Sequence, residues 1–113
     1  MRTHQQLDLR SLQLHQQVAA KIRDNPALLE KAKVILAHWR ATASPHSFGY
    51  LDEWKNVLDS GLDACLALAL DPGEYATAMR QASPLACLLS NAERFAFLRH
   101  WKQTQLESSH APR

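Results

Sequence analysis

The sequence predicts an all-α fold: a compact single-domain bundle of about five to seven short helices spanning residues 1–113. Three observations carry this. First, 113 residues suit one core with a radius of gyration of roughly 13 Å, and 46% apolar with 21% charged residues is a globular composition, neither disordered nor fibrous. Second, there are only three Gly, and Val, Ile and Thr are scarce beside Ala and Leu, which favours helices over a β-sandwich. Third, apolar residues recur at helical spacing between regularly placed Asn-Pro, Ser-Pro and Asp-Pro breaks.

The ends, about 1–7 and 104–113, are polar and without sustained periodicity, so fraying is expected there. A first helix is predicted from about Leu9 to Arg23, with Leu14, Val18 and Ile22 on one stripe and His15 beside it. No carboxylate lies one turn from His15, at Ser11 or Ala19, so it reads as a core-edge histidine and not a base. Asn25-Pro26 marks a restart, with Asn25 as the N-cap and Pro26 at the first helical position. The second helix then runs to about Thr42, burying Leu28, Ala32, Ile35, Leu36 and Trp39.

Residues 43–49 collect turn formers and expose His46. A third helix from about Tyr50 to Ser60 buries Leu51, Trp54 and Leu58, and Gly61 breaks it from an apolar helix over Leu62 to Leu70. Asp71-Pro72-Gly73-Glu74 predicts a capped start for a short helix carrying Tyr75, Ala78 and Met79 to about Gln81. Ser83-Pro84 opens another helix through Leu85, Leu88 and Leu89, and the Ser90 to Glu93 capping box opens the last, which reaches about Gln103. Phe95 and Leu98 lie well round that helix from Phe97 and Trp101, which predicts either packing on more than one side, the reading preferred here, or a face for a partner.

Charge is unevenly distributed: residues 1–40 sum to +4 (seven basic, three acidic), 41–76 to −5 (one and six) and 77–113 to +3 (five and two), giving the net +2. The acidic middle therefore either packs against the basic ends or faces a partner. No stretch approaches the ~18 apolar residues of a membrane span and the N-terminus has no apolar signal core, so a cytoplasmic protein is expected. Cys65 and Cys87 sit in apolar runs as expected buried free thiols and match no zinc spacing, so no metal and no cofactor are expected.

The sequence contains no GxSxG, Walker, GxGxxG or HExxH motif, and an enzyme is not expected. His38-Trp39 and His100-Trp101 lie in helices whose surrounding spacings do not match, so they are not a repeat. A helix-turn-helix over residues 83–103 would bring Arg94, Arg99 and Lys102 to DNA, but the front half of its recognition helix is the apolar run 95–98. The segment 80–84, Arg-Gln-Ala-Ser-Pro, has donors beyond what helix initiation needs. Arg80 either complements a helix dipole or contacts an acidic or phosphate-bearing partner.

The order of Asp24-Asn-Pro-Ala-Leu-Leu29, Tyr50-Leu-Asp-Glu-Trp-Lys-Asn-Val-Leu58, Arg80-Gln-Ala-Ser-Pro-Leu-Ala-Cys-Leu-Leu89 and Ala92-Glu-Arg-Phe95 resembles small all-helical bacterial antitoxin-type proteins encoded beside a toxin, over about residues 12–101. The resemblance implies a protein that binds a cognate toxin enzyme and occludes its active site. The chain lacks the separate DNA-binding half and linked neutralising tail found in many antitoxins. The expected function is accordingly protein binding, with Tyr50, Trp54, Arg80, Gln81 and Arg94 as candidate partner-binding residues. A small DNA-binding regulator is the alternative.

Overall fold

A computed structural model describes residues 4–109. Among them the chain forms six α-helices and no strand: α1 (His4–Asp24), α2 (Leu28–Thr42), α3 (Phe48–Asp59), α4 (Leu62–Leu70), α5 (Glu74–Arg80) and α6 (Asn91–Ser109). Two 3₁₀ turns, Pro45–Ser47 and Pro84–Leu88, precede α3 and α6. The helices form one compact globule, all-α as the sequence predicts. Among the described residues no helix is long and apolar enough to cross a membrane.

The core is one contiguous cluster. Val18 and Ile22 of α1, Ala32 and Leu36 of α2, Leu51, Trp54 and Leu58 of α3, Cys65 and Ala69 of α4, and Met79 of α5 close around Leu85, Leu88 and Leu89. Helix α2 packs on α3 and on the second 3₁₀ turn, while α1 packs on α4. The acidic middle of the chain meets the basic first third at the α2–α3 seam, where Arg40 pairs with Asp52 at 2.8 Å and Lys33 reaches Asp59 at 4.0 Å. Arg40 also lies over the Phe48 ring, 3.4 Å from its centroid.

Several starts follow their expected chemistry. Ser90 Oγ accepts from the Glu93 N–H at 3.1 Å and Glu93 Oε1 accepts from the Ser90 N–H at 2.8 Å, a reciprocal capping box. Gly61 separates α3 from α4 with φ 105° and ψ −174°, a conformation essentially reserved for glycine, and its carbonyl accepts the Cys65 N–H that opens α4.

Others differ. Helix α2 begins at Leu28, and it is the Asn25 backbone carbonyl, not the side chain, that accepts the Leu28 N–H. Asp71 bonds the Gly73 N–H at 2.7 Å as a local turn, so α5 starts from Gly73 without a side-chain cap. The segment after Ser83 is a 3₁₀ turn, not an α-helix; the Ser83 hydroxyl accepts the Leu85 N–H. Helices α1 and α6 extend to His4 and Ser109, further towards both ends than periodicity indicates. Residues 1–3 and 110–113, the outermost parts of the expected frayed ends, lie outside the described residues.

Candidate functional site

The expected packing of α6 on several sides is not observed. Phe97 and Trp101 are buried, whereas Phe95 is 64% exposed and Leu98 also faces outward. Helix α6 thus seals the globule with one stripe and leaves a second apolar stripe uncovered. Nothing in the periodicity distinguishes the two, because both repeat at helical spacing. On the neighbouring α1, Leu7 and Leu9 are exposed as well.

Where these two helices approach the end of α5 there is a cavity of about 300 Å³, lined by Leu7, Arg10, His15, Arg80, Arg94 and Leu98, among others. Its apolar rim surrounds cationic groups. Arg80 is 4% exposed and donates to the carbonyls of Ala69 and Asp71 and to the Thr77 hydroxyl. It thereby satisfies the C-terminal end of α4. Arg94 is half-buried and donates to the Ala86 carbonyl at 2.7 Å, which ties α6 to the second 3₁₀ turn. Among the described residues neither guanidinium forms an ion pair with a carboxylate. The carboxylates of Asp71 and Asp8 act on Arg80 only through space.

His15 is 1% exposed. Its Nδ1 lies 2.8 Å from the Ser11 carbonyl, which only accepts, so Nδ1 carries the proton and Nε2 presents a lone pair. Burial, and secondarily the charge of Arg80, lowers its pKa below the usual histidine value despite the bond to Ser11. His15 Nε2 and Arg80 Nε are the two buried side-chain polar atoms without a hydrogen-bond partner among the described residues, and both belong to residues lining this cavity. Buried polar atoms are rarely left so. An acceptor, a charged donor and a half-buried guanidinium in one cavity suit polar recognition of another molecule.

The five candidate residues separate. Arg80 and Arg94 come together at the cavity. Tyr50 is 46% exposed and lies elsewhere, on a shallow depression shared with His46, Glu53, Tyr75 and Met79. Gln81 is exposed on a third surface beside Asp8 and Glu74. Trp54 is a correction: it is fully buried and donates its indole N–H to the Met79 carbonyl, so it is core and cannot anchor a partner. Its spacing with Leu51 and Leu58 had placed it on the buried stripe. His15, Phe95 and Leu98 are the additions.

Cys87 also departs from expectation: it is exposed, while Cys65 is buried with its thiol pushed up to about 11 by burial. The cleft between α2 and α3, about 250 Å³, is rimmed by Lys33, Arg40, Lys55, Asp52 and Asp59, each of which already meets an opposite charge, with Glu30 also paired to Lys33. It leaves no charge to be matched from outside. The pair of helices needed for helix-turn-helix recognition is not formed either, because the element before α6 is the 3₁₀ turn. Among the described residues no cluster of three or more His, Cys, Asp or Glu is placed to hold a metal ion. No family model matches the chain, and neither a curated protein nor a solved structure gives a significant match.

Proposed function

We propose that this chain is a protein-binding module, antitoxin-like in action, which docks the α1–α6 face on a toxin enzyme and occludes the enzyme's active site. The observation that carries the binding reading is the uncovered apolar stripe of α6, Phe95 and Leu98, beside a cavity whose buried Arg80 has no carboxylate partner among the described residues. An aromatic at the surface next to guanidinium groups is the composition of interface anchors. A stable complex buries about 800 Å² on each partner, more than Phe95 and Leu98 alone supply, so the face extends onto Leu7 of α1, which lines the same cavity as Leu98. The antitoxin part of the reading comes from the resemblance of residues 12–101, and with it we propose a bacterial, cytoplasmic protein with no catalysis of its own.

The test is affinity capture of the chain from cells that naturally encode it, with mass spectrometry, stoichiometry and an activity assay on the captured enzyme. One dominant protein, inactive in the complex and lost with Phe95→Ser, is the expected result. Recovery of nucleic acid alone, with affinity falling steeply as salt rises, would reject it in favour of a DNA-binding regulator.

A further inference from the structure

We propose that the α1–α5–α6 cavity is a carboxylate site: an Asp or Glu side chain of the protein partner enters it, pairs with Arg80 and Arg94, and is met by His15 in its protonated form. The inference depends on the protein-binding reading and specifies what the partner presents. It stands on geometry. His15 and Arg80, which line one cavity, each carry an unpartnered buried polar atom, Nε2 and Nε, just beneath its surface, and Arg10 and Arg94 line it too. A buried guanidinium bonded only to neutral acceptors, with the Asp71 and Asp8 carboxylates acting on it only at a distance, keeps part of its positive charge unmatched, and an incoming anion in direct contact removes that deficit. The apolar rim, Leu7 and Leu98, suits an acid carried on a polypeptide segment. No glycine lines the cavity, so the exposed backbone nest common in phosphate sites is absent among its residues.

A proton accompanies the anion. In the free protein His15 is held neutral by burial, with its single N–H on Nδ1 facing the Ser11 carbonyl. A carboxylate oxygen beside the Nε2 lone pair is repelled until Nε2 gains a proton from solvent. The imidazolium then donates to Ser11 through Nδ1 and to the carboxylate through Nε2. Of the charged groups, Arg80 on α5 acts on His15 directly, Arg10 on α1 and Arg94 on α6 line the cavity with it, and Asp8 on α1 and Asp71 in the α4–α5 connection act on Arg80. With more cations than carboxylates around it, His15 stays neutral until an anion enters. Docking therefore strengthens as pH falls from neutral towards the lowered pKa of free His15.

The test uses the full chain and acetate, with inorganic phosphate as a second probe, read by NMR of the His15 ring and the arginine Nε–H signals. Acetate is expected to bind with a Kd on the order of 10 mM and to raise the His15 titration midpoint by about one pH unit. Arg94→Gln should weaken it at least about tenfold with the fold intact, and His15→Gln should remove the pH dependence. An unmoved midpoint, or unchanged acetate binding in Arg94→Gln, overturns the proposal. So does phosphate acting at lower concentration than acetate, which would make the cavity a phosphate site. Because acetate reports on the isolated chain, a negative result rejects the carboxylate site without touching a captured partner. An acetate response with no partner found supports the site and rejects only the docking reading.

Discussion

The indole N–H of Trp54 donates to the main-chain carbonyl of Met79 across 2.7 Å, so the largest fully buried side chain of the core also closes the end of α5. One residue of α3 thereby fixes the helix end that presents Arg80. Trp54→Phe empties part of the core and removes a donor from a buried carbonyl. A loss of about 2–4 kcal/mol in chemical denaturation is expected, and a loss under about 1 kcal/mol would show that the site collapses freely.

Arg80 holds the end of α4 before it holds anything else. Arg80→Met keeps the aliphatic stem but leaves the Ala69 and Asp71 carbonyls without their guanidinium donor. We expect about 3 kcal/mol less stability and a melting temperature lower by about 10 °C or more. Partner binding measured on this variant therefore mixes folding with recognition. Arg94→Gln, in a half-buried side chain, is the cleaner probe and should leave the melting temperature within about 5 °C of the parent.

Gly61 occupies open space: a Cβ added there meets nothing within 4 Å. The cost of Gly61→Ala is then purely conformational, from φ 105°, and amounts to about 1–3 kcal/mol. Thermal melts will show it. A neutral outcome would mean that the α3–α4 corner relaxes to negative φ.

Glu93 accepts from Lys21 and from the Ser90 N–H, and these bonds, Lys21 first, pull its carboxyl down to about 2. A carboxyl with a depressed folded-state pKa contributes stability that is complete above its unfolded value, near 4.5, and is lost as pH falls towards 2. Melting temperature should therefore decline between those values. Glu93→Gln, which retains the capping box, should flatten the decline; an equally steep profile in that variant would assign the acid sensitivity elsewhere.

The fold was legible where structure follows from local chemistry. Ser90 with Glu93, the Gly61 break and the stripe of Leu51, Trp54 and Leu58 all announce themselves within a few residues. The second 3₁₀ turn was not, since Ser83-Pro84 signals a start without stating how far the helix continues. The cavity was half legible. Arg80 stands out as polar excess, yet two of its three partners are main-chain carbonyls eleven and nine positions away, which leave no residue-type signature. His15 was correctly placed near the core, but its open Nε2 depends on what α5 and α6 bring across from it, and nothing in its own helix encodes that.

Trp101 is the last buried residue of α6 among those whose burial is described, and from Lys102 to Glu107 only Gln105 is even half-covered. The helix outlasts the globule that nucleates it. Its final turns therefore open and close on their own, with a free energy far below that of global unfolding. Amide exchange along α6 should show a steep gradient centred on Trp101, slow on the side of Phe97 and fast beyond it. A protease can trim that extension while the core, with its melting temperature, stays as it was.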